Sequence, residues 1–397
     1  MSSGSESTPV CPNCLAPGMR TIYESRNIPA HSCIMLATQE EARRFPLRDL
    51  MLGFCASCGF ISNTVFDPSV QAYTRGYEEQ QSFSARFRTF QTSLIDRLIQ
   101  RYNVHGKHVV EIGCGKGDFL IELCERGGNH GVGIDPACDP DRMRRRGEGR
   151  VRFIQDLYSP KYSDLPCDFL CCRHTLEHIR PTHDFIGEVR DVIGDRRDVL
   201  VFFEVPGVER VLAECAFWDV YYEHCSYFSL GSLGRVFRSN RFDLLELEAD
   251  FEDQYLLVVA RPTDGPTVAS LPGEDDLRRL ADLVTDFRNR VPGMIDAWRE
   301  RIAGLRARNK RIAIWGSGSK CVSFLSTVGL ADGFDAVVDI NPYRHGKYLA
   351  GSGKEVVAPG SLKSAPPDVV LVMNPVYCSE IQRGLDAMGV NAELALV

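Results

Sequence analysis

The chain has 397 residues, 44% of them apolar and 25% charged, with a formal net charge of −7. That length allows two or three domains with a substantial core, and the acidic balance argues against a general nucleic-acid or anionic-membrane binder. No apolar run is long enough to span a bilayer. The opening residues have neither the basic region nor the apolar core of a secretory leader, so a cytoplasmic protein with a disordered tail over residues 1–10 is expected.

The first motifs are cysteine pairs, four of the chain's 15 cysteines. Cys11 and Cys14 stand in CPNC, and Cys55 and Cys58 in CASCG. Two C-x2-C knuckles are a usual way to place four thiolates around one Zn²⁺. A small domain over residues 11–72, clipped by a structural zinc, is expected. His31 and Cys33 between the pairs are substitute ligands, and reduced structural cysteines are the alternative. Most other cysteines, such as Cys124, Cys167, Cys171 and Cys172, sit in apolar contexts and read as core thiols in a reducing compartment.

Residues 73–84, YTRGYEEQQSFS, mix tyrosines with carboxylates and amides and read as a lid. Phe87, Phe90, Leu94, Ile95 and Leu98 follow at helical spacing. Next comes GKHVVEIGCGKGDFLIELCERGGNHGVGIDPA. An apolar strand over 109–112 runs into Gly113, Gly115 and Gly117, then a helix, then a strand over 131–134 ending on Asp135. Strand, glycine turn, helix, strand and acid form the layout of a nucleotide-binding βαβ unit. The glycines let backbone approach a ligand closely, the helix N-terminus offers free N–H groups, and Asp135 accepts from ribose hydroxyls. The spacing fits a dinucleotide or S-adenosylmethionine. Glu111, two residues before the first glycine, favours S-adenosylmethionine, because a carboxylate there suits a cationic head and repels a pyrophosphate. An NAD or flavin site, or a turn that binds nothing, are the alternatives.

The α/β rhythm continues. DRMRRRGEGR, residues 141–150, reads as a solvated helix face rather than a phosphate patch. A strand over 151–155 ends near Asp156, placed for an adenine amino group. A strand over 168–172 opens into RHTLEHI, which sets Arg173, His174, Glu177 and His178 at the carboxyl edge where ligands bind in open sheets. After a strand over 199–204, the stretch FWDVYYEHCSYFSLGSLGRVF concentrates proton-active groups: Tyr221, Tyr222, Glu223, His224, Ser226 and Tyr227. A packed aromatic stripe is the plain alternative, although Glu223 and His224 are costly to bury without partners. Its tail reads as a serine-capped helix, and strands over 242–247 and 255–260 close the domain, which spans 73–260. A Pro- and Gly-rich linker covers 261–275. A long helix over 277–307, with a break near Pro292-Gly293, leads to a second nucleotide-like unit in 276–397, where GSGSK brings Lys320 into a phosphate-facing position. Substrate holding or simple packing suits this unit better than a second cofactor. The fold class is α/β with two Rossmann-like domains.

CPNC with FPLRDLMLGFCASCGF, the segment around Tyr77, EIGCGKGDFL, RHTLEHI, YYEHCSYFS and VVDINPYRHGKYL together resemble the three-domain S-adenosylmethionine-dependent C-methyltransferases of deoxysugar and natural-product biosynthesis. The resemblance implies an N-terminal zinc domain, a central class I methyltransferase domain and a C-terminal Rossmann-like domain. It places Tyr221, Glu223, His224, the LEHI histidine His178 and the lid tyrosine Tyr77 at the reacting carbon. It also implies removal of a proton beside a ketone, and attack of the enolate carbon on the sulfonium methyl. An imidazole suits the base, hence His224, while Tyr221, Glu223 and His178 steady the enolate or substrate hydroxyls. HGKYLAGSGKEVVAP replaces the usual PGT-type loop, and HSCIMLATQEEARR looks inserted, so the acceptor stays open. It is a nucleotide-linked ketosugar, a sugar hydroxyl or amine, or another small metabolite. No nucleic-acid or membrane partner is expected, and the chain is a monomer or homodimer. A zinc-bearing scaffold and an NAD-dependent enzyme are the competing classes.

Overall fold

The computed structural model describes residues 9–71, 76–139, 149–265 and 269–397. Most of the expected tail, the first part of the lid, most of the arginine-rich run and the middle of the linker lie outside the described residues. Among those described, strands form three sheets, and no helix is long and apolar enough to cross a membrane.

The first sheet is antiparallel, with strands Arg20–Pro29, Leu47–Phe54 and Ile61–Asn63. Its fourth strand is Ser226–Tyr227, paired as Ile61 with Tyr227 and Ser62 with Ser226. The N-terminal unit therefore completes its sheet with the YYEHCSYFS stretch, far along the chain from Ile61 and Ser62.

The second sheet has seven strands in the order Phe242–Asp250, Tyr255–Pro262, Leu200–Pro206, Phe169–Arg173, His108–Ile112, His130–Ile134, Val151–Ile154. The last five named are parallel, and Tyr255–Pro262 runs against Leu200–Pro206. Central strands of such a sheet are covered on both faces and read as continuous apolar runs; every residue of Phe169–Arg173 is buried. The helix Ala85–Tyr102 is capped by Ser84, whose hydroxyl accepts from Phe87 N. Its Phe87, Phe90, Leu94, Ile95 and Leu98 pack into the core that holds Phe119, Phe169 and Phe202. The expected serine cap is present at Ser229, which exchanges hydrogen bonds with Ser232 at the start of Leu230–Ser239. The strand expected to stop at 260 continues through Arg261 and Pro262, because Asp243 and Phe242 carry the hairpin ladder opposite them.

The third sheet is parallel, in the order Val356–Val357, Ala336–Val338, Ile312–Trp315, Val369–Val372, Glu393–Leu396. The helix before it, Leu277–Ala307, runs through Pro292 without the expected break. Pro292 and Gly293 are exposed, so the carbonyl that proline leaves without a donor faces water. Meanwhile Leu280, Val284, Phe287, Val291, Trp298, Ile302 and Leu305 keep one buried face. One core joins this helix to the first sheet, the segment 208–227 and the third sheet. Phe217 stacks on Phe324 at 5.7 Å, and Ser323 Oγ donates to Val220 O at 2.6 Å. The C-terminal unit thus grips the turn directly before Tyr221.

Candidate active site

A cavity of about 900 Å³ opens at the carboxyl ends of the central strands, roofed by the segment 77–84 and walled on the far side by the C-terminal unit. The glycine turn forms its floor. Gly113 has φ 68°, and a Cβ there would come within 2.0 Å of Thr175 Oγ1, so only glycine admits this approach. Asp135 ties the turn together, accepting from Gly115 N at 2.9 Å through one oxygen and from Ala137 N at 2.6 Å through the other. Gly117, with φ 75°, starts the helix Asp118–Gly127 and does not line the cavity.

Glu111 lines the cavity and is buried, and its Oε2 has no hydrogen-bond partner. Burial pushes its carboxyl up to about 8, against the pull of Arg173. Arg173 bonds Glu204 at 2.5 Å and lies 4.2 Å over the Phe119 ring. An orphaned buried carboxylate beside a strand-tip acid suits a ligand that brings both N–H donors and hydroxyls. S-adenosylmethionine, with its ammonium and ribose diol, fits those groups. Asp156 is not brought to this wall. Its carboxylate takes up Lys161 and accepts from Tyr162 Oη at 2.5 Å, while Leu157 and Tyr158 line the cavity instead.

The proton-active residues gather further along. The His224 ring lies 4.7 Å from that of His178 and 4.2 Å from that of Tyr221. Burial, then the neighbouring His178, holds His224 well below the usual imidazole range, so it is neutral. His178 Nδ1 is 3.1 Å from Glu223 O. Tyr77 sits edge-on to His178 at 6.5 Å and to His31 at 6.0 Å. Burial pushes the Tyr221 phenol well up.

Glu223 points the other way and is not in the cavity wall. Its carboxylate accepts from His31 Nδ1 at 2.7 Å, from Ser32 N at 3.1 Å and from Ser32 Oγ. Although burial disfavours its charge, these donors hold it below the usual carboxylate range. His31 is thereby removed from the metal-ligand candidates. So is Cys33, which lies 3.3 Å from Ser319 Oγ and beside Arg344. Lys320 reaches the cavity wall, but its ammonium bonds Asp219 at 2.7 Å, a carboxylate it shares with Arg210. Its phosphate-facing expectation is corrected on that ground.

Sequence reasoning passed over Glu79, Glu204 and Arg344. His174, with φ 48°, pairs with Glu204 at 2.9 Å. Despite burial, Glu204 raises it to about 9. Arg344 donates to Ser317 Oγ at 3.2 Å and to Glu78 O, closing the C-terminal glycine turn against the lid. No local pattern marks these contacts, since each joins segments far apart in the chain.

Away from the cavity the four knuckle thiols converge. Cys11 and Cys58 Sγ are 3.6 Å apart and Cys14 and Cys55 Sγ 3.7 Å apart, and all four lie within 4.8 Å of one another. These are not disulfide lengths. A tetrahedral site with Zn–S bonds of about 2.3 Å separates its sulfurs by roughly 3.8 Å, so the donor set fits zinc.

A family model described as a methyltransferase domain matches residues 84–247, and one described as a C-methyltransferase C-terminal domain matches 261–392. The C-methyltransferase NovU of Streptomyces niveus is 26% identical over 308 residues, covering 72% of this chain and 71% of that one. Among solved structures, the N,N-8-amino-8-demethyl-D-riboflavin dimethyltransferase RosA of Streptomyces davawensis is 16% identical, with a TM-score of 0.36 over 45% of this chain and 56% of that one. The magnesium protoporphyrin IX methyltransferase ChlM of Synechocystis PCC 6803 is 13% identical, with a TM-score of 0.36 over 45% and 84%. The two matched segments and the seven-stranded sheet, in the class I strand order, make the chain an S-adenosylmethionine-dependent methyltransferase. Its C-terminal segment matches the C-methyltransferase model, and over most of its length the chain is similar to NovU.

Proposed function

We propose that this enzyme methylates a carbon beside a carbonyl in a small sugar-like intermediate, a nucleotide-linked ketosugar being the foremost candidate. The carrying observation is His224: a buried imidazole in the cavity wall, its ring 4.2 Å from that of Tyr221 and 4.7 Å from that of His178. The name of the relative NovU supports carbon as the methylated atom.

S-adenosylmethionine, when bound, supplies an electrophilic methyl group. Glu111 and Asp135 hold its amino and ribose ends, the turn Gly113–Gly117 admits it, and Arg173 keeps Glu111 in place. An adenine contact from Asp156 requires its carboxylate to leave Lys161 and Tyr162. On the acceptor, the imidazole of His224 takes the proton from the carbon next to the carbonyl. Tyr221 Oη, protonated at neutral pH, donates to the oxygen where negative charge develops. His178 and Tyr77 orient the acceptor's hydroxyls. Glu223 serves from behind, fixing the backbone that carries His224 to the loop His31–Ser32. The four cysteines hold a structural zinc in a unit over residues 11–72, and 276–397 forms the acceptor-side wall.

Incubation with methyl-labelled S-adenosylmethionine and a panel of free and nucleotide-linked ketosugars tests this. Transfer of the label to a carbon, read by NMR, is expected; transfer to oxygen or nitrogen overturns the carbon assignment and leaves His224 as base for a hydroxyl or amine.

A further inference from the structure

Glu79 lies in the roof of the cavity, in a segment read only as a lid. Its Oε1 would meet a Cβ on Gly115 at 2.6 Å, so the carboxylate rests directly on the glycine turn. Its Oε2 is buried and has no hydrogen-bond partner. The neighbouring cation does not supply one: Lys116 Nζ stands 3.8 Å from that oxygen and donates to Tyr77 O at 2.9 Å and Ala137 O at 3.3 Å. Glu111, in the wall of the same cavity and 2% exposed, has an orphaned Oε2 as well. A third such oxygen in the cavity, Glu177 Oε2, belongs to the group with His178 and His224; the two carboxylates at the glycine turn call for a ligand with N–H or O–H donors. A sulfonium carries none, whereas an α-ammonium carries three. The ribose end already has Asp135.

We propose that Glu79 binds the α-ammonium of S-adenosylmethionine together with Glu111, so that the lid closes on the donor's amino-acid end. The inference rests on the donor site proposed above and adds a residue to it. The lid is already seated there: Asp118, at the start of the helix after the turn, accepts from Ser82 Oγ at 2.7 Å and Gln80 Nε2 at 2.5 Å. Lys116 fixes Tyr77 from the other side. A donor held this way links cofactor loading to the placement of Tyr77 beside His178. Burial raises Glu79 to about 7, with Lys116 opposing and Asp135 and Glu78 adding to the rise. Glu111 feels Arg173, Asp135, Asp118 and Glu204 in the same way. An arriving ammonium favours both charged forms, so binding near pH 7 releases protons and tightens as pH rises from about 6 to about 8.

Calorimetry with two probes, S-adenosylhomocysteine and methylthioadenosine, tests this without an acceptor. Methylthioadenosine keeps adenine and ribose but lacks the amino acid. Glu79→Gln, close in shape to the wild type, is expected to weaken S-adenosylhomocysteine roughly 10- to 100-fold and methylthioadenosine less than about twofold, and to reduce the protons released. Unchanged affinity for S-adenosylhomocysteine overturns the inference, and so does equal weakening of both probes, which marks general damage to the lid. A folded wild-type chain that takes up neither probe overturns the donor site itself.

Discussion

Glu223 and His224 are neighbours in the chain, yet one faces the N-terminal loop and the other the cavity. The motif that holds them was legible in the sequence, but their directions were not. Between the turn Phe217–Asp219 and the strand Ser226–Tyr227 the backbone follows neither a helical nor a strand period, so spacing cannot assign faces. Asp156 escaped for a related reason, since its carboxylate settles on local partners just past the strand end. His224→Ala is expected to lower turnover roughly 10²–10⁴-fold while S-adenosylhomocysteine affinity stays near wild type. Turnover within a few-fold of wild type removes His224 as the base. Because burial disfavours the charged imidazole, the acid limb of turnover at saturating S-adenosylmethionine, where donor binding no longer contributes, falls below about pH 6.5. A limb above that value contradicts the burial argument.

Among elements, the βαβ unit around Gly113–Asp135 was readable because strand, turn and helix each carry a local signature. The helix Leu277–Ala307 was misjudged at Pro292, where local propensity gave way to packing. Its apolar face continues past the proline, and the missing hydrogen bond lies on the water side. The strain remains, so Pro292→Ala should raise stability by about 2 kcal/mol: roughly 3 for helix propensity, less about 1 for the freer unfolded chain. Chemical denaturation measures it, and a loss of stability shows that the proline is required for the helix's path. The strand Ser226–Tyr227 is the opposite case. At two residues it is too short to carry a pattern, yet it links the N-terminal sheet to the site.

For the molecule as a whole, the cysteine pairs announced a metal cluster, and the structure brings their sulfurs to zinc-compatible spacing. The same cysteines pack with Phe203, Leu233 and Phe237 beneath the central sheet. Cys55→Ser is therefore expected to lose one zinc per chain by elemental analysis and to lower the thermal midpoint. A wild-type chain purified without zinc refutes the site. What no sequence pattern revealed is how the three sheets interlock: His31 and Ser32 brace Glu223 beside His224, Ser323 grips the turn before them, and Arg344 meets the segment 77–84. Such contacts depend on side chains more than a hundred residues apart.

The glycine turn and its strand-tip acid carry the rest, and titrating the folded chain with S-adenosylhomocysteine probes them most directly. The account predicts uptake of one molecule per chain with micromolar strength, weakened roughly 10- to 100-fold by Asp135→Ala. No uptake by the wild-type chain, or unchanged affinity in Asp135→Ala, contradicts it.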